Sequence, residues 1–276
     1  MRDVTTAPLL DPRGYLDRIR FPATSGLEAS EPSLPLLQSL HEAHMLAVPF
    51  ENLSIHYGQP IVLRDALLYE KIVTRRRGGF CYELNGLFAW LLGRLGFTVT
   101  LLSAEVAGAD GSFSAPFDHL TLLIQQVAGG DWLADVGFGD SFRCPLRFEP
   151  GAEQDGADGR LYRLRESDAR VGGDAGQPYW LVEQRPAPRQ PWEPVYRFTL
   201  QPHDLTDFAE RCRYQQTSPE SHFTQKRICS LALPDGRITL SDLRLITTLN
   251  GVREARELAS EDDYRAVLAD RFGVVL

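Results

Sequence analysis

An α+β fold is predicted, and three features of the sequence point to it. Residues from about Asp11 to Phe97 carry their apolar side chains at helical spacing. From Thr98 the texture changes to short β-branched or alternating runs broken by Gly and Pro, the signature of antiparallel strands. After His203 the chain mixes a connecting helix, two short strands and a terminal helix. With 276 residues there is enough chain for two or three modules, and the expected divisions are 1–97, 98–202 and 203–276.

In the first part, Asp11-Pro12 caps a short helix that continues through Ile19, and the leucines after Ser33 have helical spacing up to His44. Leu84, Leu87, Phe88, Leu91, Leu92 and Leu95 then trace one buried helical face, which Gly96 ends. Gly78-Gly79 cannot sit in a helix interior without cost, so Cys81 falls in the first turn of that helix. There the unpaired N–H groups, the macrodipole and a neighbouring arginine favour an anion, so the thiol is expected to ionise more easily than a free one. A small buried hydrophobe is the alternative, and this stretch alone supports both readings.

The second part offers strands at Thr98–Leu102, His119–Ile124, Trp132–Val136, Tyr179–Glu183 and Tyr196–Leu200. Pro150 to Gly176, rich in Gly, Asp and Glu, reads as a long loop or insertion. A connecting helix is expected from His203 to Cys212. Strands Arg227–Leu233 and Arg237–Leu240 join across Pro234-Asp235-Gly236, and Ser260-Glu-Asp-Asp has the form of a cap opening the terminal helix.

Charge and composition exclude several classes. The 37 acidic residues against 29 Lys and Arg leave a net charge of −8, which opposes general nucleic-acid binding, and Arg75-Arg76-Arg77 is too short to reverse that. No apolar run approaches the roughly eighteen residues of a membrane span, and Met1 to Pro8 lacks a signal-peptide apolar core, so a cytoplasmic protein without membrane contact is expected. Cys81, Cys144, Cys212 and Cys229 lack CxxC spacing, so free thiols and no zinc site are expected.

A thiolate nucleophile needs a general base and a group that fixes the base's tautomer. Of six histidines, His41, His44 and His56 lie in the helical part and His203 and His222 in polar connections, where surface or packing roles suffice. His119 differs. It opens a strand on which His119, Thr121 and Leu123 share a face, and the next strand carries Asp135, a carboxylate that is costly there without a partner. The pair reads as base and orienting carboxylate, with a buried structural contact as the alternative.

Strand parity constrains it further. A two-residue turn at Gly129-Gly130 would set Asp135 opposite Ile124, on the face away from His119. For the two to meet, the numbers of paired residues must sum to an even value near 254 to 256. This predicts a three- or five-residue loop centred near Val127 or Ala128, or a bulge, with a glycine at 129 or 130 supplying a positive φ.

Pro49-Phe-Glu-Asn-Leu53, Arg77-Gly-Gly-Phe-Cys-Tyr-Glu-Leu-Asn85, the His119 strand, Asp135-Val-Gly-Phe-Gly139 and Thr217-Ser-Pro-Glu-Ser-His-Phe223, in that order, resemble the arylamine N-acetyltransferases. The resemblance covers nearly the whole chain. It implies a helical N-terminal module, an antiparallel β-barrel-like middle and a C-terminal α/β lid around a thiol-protease-like Cys-His-Asp core. By position, Cys81, His119 and Asp135 would be catalytic, Glu51 and Arg77 a supporting ion pair, and Asn85 a polar support. Phe80, Phe117, Asp118, Gly137, Phe138, Gly139 and Thr217 would line the substrate and coenzyme pocket. It also implies acetyl-CoA as co-substrate, small aromatic amines or hydrazines as acceptors, and no permanently bound cofactor. One departure is Ala115-Pro116-Phe117-Asp118 before the histidine, where several relatives carry Thr or Gly, and this bears on acceptor and acyl preference. An intramolecular amide synthase, a thiol hydrolase or transglutaminase-like enzyme, and a binding module that has lost its chemistry are the rival readings.

Overall fold

The computed structural model describes residues 10–22, 31–171, 176–187 and 189–276. Met1 to Pro8, on which the signal-peptide reading rests, lies outside the described residues, as do residues 172–175 of the expected Pro150–Gly176 loop.

The helical part contains α1 (Pro12–Arg18), α2 (Leu34–Ala47), the short strand β1 (Phe50–Glu51), α3 (Leu53–His56), α4 (Asp65–Tyr69) running into a π turn at Glu70–Thr74, and α5 (Cys81–Arg94). The Asp11 carboxylate caps α1, accepting from Arg13 N–H at 2.9 Å. On α5, Leu84, Leu87, Phe88, Leu91 and Leu92 are fully buried, as their spacing requires, and Gly96 closes the helix at φ +86°.

The middle of the chain supplies β2 (Thr98–Val106), β3 (His119–Val127), β4 (Gly130–Ala134), β5 (Leu146–Arg147), β6 (Gln154–Asp155), β7 (Leu161–Arg170), β8 (Pro178–Arg185) and β9 (Glu193–His203). They form one sheet in the order β5-β4-β3-β2-β9-β8-β7-β6, all neighbours antiparallel. The expected Pro150–Gly176 loop is therefore corrected. β7 fills much of it because Tyr162 and Leu164 point inward and are fully buried, while the charged residues between and beyond them face out and dilute the apolar signal.

A 3-10 turn (Leu205–Phe208) precedes α6 (Ala209–Thr217), so the connecting helix starts two residues after His203, which ends β9. Then follow α7 (His222–Gln225), β10 (Ile228–Leu233), β11 (Gly236–Ser241), β12 (Arg244–Leu249), β13 (Val252–Glu257) and α8 (Glu261–Phe272). Ser260 caps α8 as expected, accepting from Asp263 N–H at 3.1 Å. The second sheet runs β1-β10-β11-β12-β13, with Glu51 opposite Cys229, so a strand from the helical part is built into the C-terminal sheet. The β12–β13 hairpin was not foreseen. All six residues of β13 are exposed, so no apolar alternation marks it.

The register between β3 and β4 is the one that the parity argument requires. Leu122 pairs with Ala134, Leu123 with Leu133 and Ile124 with Trp132, a constant sum of 256. The glycine turn is shifted by one residue: Val127 pairs with Gly130, leaving Ala128 and Gly129 as a two-residue turn at φ +50° and +75°. A bulge between Ile124 and Val127 restores the parity, with Gln126 at φ +57° and its N–H donated to the Asp131 carboxylate at 2.9 Å.

Candidate active site

The turn that presents Cys81 is held from behind by Pro49–Glu51. Glu51 N–H donates to Gly79 O at 2.8 Å, and a side chain at Gly78 would collide with the Pro49 carbonyl oxygen, so glycine is obligatory there. Arg77 grips Glu51 through two bonds, Nε to Oε1 at 3.0 Å and Nη2 to Oε2 at 3.1 Å, and Leu53 N–H donates to the same carboxylate at 2.7 Å. Both residues are buried. Burial alone would raise Glu51, but Lys71, Arg77 and the Leu53 N–H more than offset it and hold the carboxyl below its usual value. Lys71 also bonds Glu83 at 2.7 and 2.9 Å, while Glu83 accepts Phe80 N–H at 3.1 Å and so fixes the first turn of α5.

Across the seam, His119 Nε2 and Asp135 Oδ2 are 2.7 Å apart, and both residues are buried. The other carboxylate oxygen accepts Asn85 Nδ2 at 2.9 Å and Gly137 N–H at 3.0 Å. Burial would raise Asp135; His119, Asn85 and Gly137 more than offset it and leave it below the usual carboxylate value. Asn85 is saturated: it donates to Leu120 O at 2.6 Å and accepts Val136 N–H at 2.9 Å, bolting α5 to β3 and to the end of β4.

Cys81 is 4 % exposed and meets the residues that flank His119 on either side. Its Sγ lies 4.0 Å from Asp118 O, and Leu120 N–H bonds the sulfur. Gly137 packs directly on it, since a Cβ there would come within 2.8 Å of Cys81 Cα. The expectation of an easily ionised thiol is corrected. Burial, then the Asp118 carboxylate, push Cys81 well above the usual thiol value, and Arg77, the arginine next to the Gly78-Gly79 turn, is engaged with Glu51. An anion on Cys81 therefore needs a proton acceptor beside it, and Nδ1 is the ring nitrogen of His119 that Asp135 leaves available.

The remaining expected residues divide. Phe138 stands edge-on over His119 with ring centroids 5.2 Å apart, and Gly139 next to it takes φ +94°. Phe117 adopts φ +64° and packs on His203 and Phe208, while Tyr82 Oη donates to Phe117 O and Asp118 O at 2.8 and 3.1 Å. The Asp118 carboxylate is bound by Arg211 at 2.6 Å and by Gln215, both on α6. Phe80 is fully buried against Tyr82 and Phe223. Thr217 is exposed, and its hydroxyl donates to Arg213 O on its own helix. No hydrogen bond or ion pair among the described residues joins Thr217 to the cluster around Cys81.

Two residues of the site were missed from the sequence. Tyr196 is buried with its ring 5.1 Å from that of His119, although only its strand was recognised. His41 accepts Asp135 N–H; its membership of the buried series Leu37, Leu40, His41, His44 and Met45 on α2 is the signal that would have found it. Among the described residues no group of three or more His, Cys, Asp and Glu is arranged to hold a metal ion, and no helix is long and apolar enough to cross a membrane.

A family model described as N-acetyltransferase matches residues 33–276, which makes the chain a transferase acting on nitrogen. It belongs to the arylamine N-acetyltransferase family. The arylamine N-acetyltransferase of Mycolicibacterium smegmatis is 33 % identical over 273 residues, covering 97 % of this chain and 93 % of that protein. The solved arylamine N-acetyltransferase of M. tuberculosis superposes with a TM-score of 0.83 at 32 % identity, covering 96 % of this chain and 94 % of that one. That of Mycobacterium marinum, solved in complex with CoA, gives a TM-score of 0.81 at 33 % identity over 96 % and 93 % of the two chains.

Proposed function

We propose that the chain moves an acetyl group from acetyl-CoA to the nitrogen of aromatic amines and hydrazines through an acetyl-thioester on Cys81. The observation that carries the reading is the 2.7 Å His119–Asp135 bond, held by Asn85 and Gly137 beside a thiol at the mouth of α5. In the first half-reaction the Cys81 proton passes to His119 Nδ1, which removes the cost of forming a lone buried thiolate, and Asp135 stabilises the imidazolium. The thiolate adds to the acetyl carbonyl, the bond to the CoA sulfur breaks, and the CoA thiolate takes the proton from His119. Thioester is exchanged for thioester, so little energy separates the two states.

In the second half-reaction the amine nitrogen adds to the acetyl carbonyl while neutral His119 accepts its proton. The carbon–sulfur bond to Cys81 then breaks, and His119 returns that proton to the thiolate. N–H groups in the first turn of α5 stabilise the oxyanion. In this reading residues 1–97 supply the thiol, 98–202 the base and carboxylate, and 203–276 the lid, in a cytoplasmic enzyme. The lid role draws support from Arg211 and Gln215, which reach Asp118 from α6.

Initial rates test the reading. Varying acetyl-CoA at several fixed levels of an arylamine or hydrazine is expected to give parallel double-reciprocal lines. Intersecting lines would remove the covalent role of Cys81. Acetate release without acceptor at the rate of acetyl transfer would favour a thiol hydrolase.

A further inference from the structure

Asp135 lies one residue beyond the end of β4, so its N–H has no place in the ladder and needs a partner elsewhere. That partner is His41 on α2, whose Nε2 accepts the N–H at 3.2 Å. The other ring nitrogen, Nδ1, is 2.9 Å from Arg143 O. An atom that accepts an amide N–H carries no proton, so the proton sits on Nδ1 and is donated to Arg143 O. Both nitrogens are thereby used in one neutral tautomer. The ring is fully buried, stacked on Phe142 at 5.9 Å and 14°, with Phe88 edge-on at 6.1 Å. Burial drives His41 down to about 4, so the ring is neutral at neutral pH.

The two bonded groups are the two ends of one loop. Asp135 opens it and Arg143 closes it, and between them lie Gly137, packed on Cys81, and Phe138, edge-on over His119. A single side chain from another element thus spans the base of the loop that places a carboxylate against His119 and a ring over it. A ring that only filled space would use neither nitrogen on that loop.

We propose that His41 is a positioning residue for the transfer reaction, a neutral cross-brace between Asp135 N–H and Arg143 C=O that fixes the Asp135 carboxylate on His119. The inference rests on the reading of Cys81, His119 and Asp135 given above. Three variants test it: His41→Phe keeps a flat ring and loses both bonds, His41→Gln offers an amide oxygen to Asp135 N–H, and Asp135→Asn removes the carboxylate itself. His41→Phe is expected to lower kcat roughly tenfold, within the loss of up to about a hundredfold that a small misplacement of a working group can cause, with KM for acetyl-CoA little changed. The pH midpoint of Cys81 alkylation should move in the same direction as in Asp135→Asn, and His41→Gln should recover most of the rate. If His41→Phe does not fold, His41→Leu replaces it in the comparison with His41→Gln. Wild-type kcat or an unmoved alkylation midpoint in the variant lacking both bonds, or a Gln variant as impaired as it is, would overturn the inference. Wild-type kcat in Asp135→Asn would instead overturn the reading on which it rests.

Discussion

Arg77–Glu51 beneath the Cys81 turn and Arg227–Glu261 at the start of α8 are both two-bond clasps. Their distances favour the outer one, 2.7 and 2.8 Å against 3.0 and 3.1 Å. Their surroundings are opposite: Arg77 and Glu51 are 1 % and 0 % exposed, Arg227 and Glu261 18 % and 52 %. Distance is therefore a poor guide to what each clasp contributes. Breaking the outer one returns Glu261 to water, whereas breaking the inner one leaves a carboxylate buried with its nearest remaining cation, Lys71, at 3.9 Å. The inner clasp also joins β1, and through it the C-terminal sheet, to the turn that carries Cys81.

The largest expected effect tests whether burial confers function as well as stability. Asp135→Asn keeps the shape of the buried site and removes its charge, and kcat is expected to fall by about 10⁴, the order seen when an orienting carboxylate is neutralised beside a catalytic histidine. Activity near wild type would show that the His119–Asp135 contact is structural only. Next is the inner clasp: Arg77→Met should cost about 3–5 kcal/mol of unfolding free energy in urea titrations, and activity should fall with it. An unchanged midpoint would erase the contrast between the two clasps.

Acid sharpens the same contrast. Glu51 and Asp135 are held below their usual values, so the native state binds fewer protons than the unfolded chain, and their contribution is lost as pH falls from the ordinary carboxylate range through the lower folded values. Glu83 is shifted the other way, raised by burial in spite of Lys71, and offsets part of the loss. Glu51→Gln should flatten the acid limb of a stability-against-pH curve, and Glu261→Gln should change it much less; equal slopes would contradict the account. Smaller again, Gln126→Gly should raise stability by up to about 1 kcal/mol by relieving the left-handed backbone of the bulge, and a loss would assign that strain a compensating contact. The outer clasp comes last: Arg227→Ala should change stability by about 0–1 kcal/mol, and a loss matching that of Arg77→Met would break the comparison.

What was legible in the sequence follows the same division between inside and outside. The buried face of α5 repeats at helical spacing and could be read directly, and the β3–β4 register followed from parity once Asp135 was required to meet His119, because a one-residue slip would have moved Asp135 to the wrong face. The device that corrects the slip could be narrowed only to a loop or a bulge, since nothing about Gln126 advertises a positive φ. β7 and β13 were hidden because an outer strand carries one inward face or none. The Cys81 environment was misjudged for a different reason: a sequence shows which charges are near in the chain, and Arg77 is near, but its guanidinium points to a partner 26 residues away. His41 lies 94 residues from Asp135, beyond the reach of any local pattern.

The central claim, that the buried Cys81 is the group that carries the acetyl, has one direct measurement. The protein is incubated with acetyl-CoA in the absence of acceptor, digested at mildly acidic pH to preserve the thioester, and mapped by mass spectrometry. The account predicts one acetyl per chain, on the peptide containing Cys81, discharged when an arylamine is added. Acetyl on Cys144, Cys212 or Cys229, or no acetylated cysteine in a preparation that turns over normally, would contradict it.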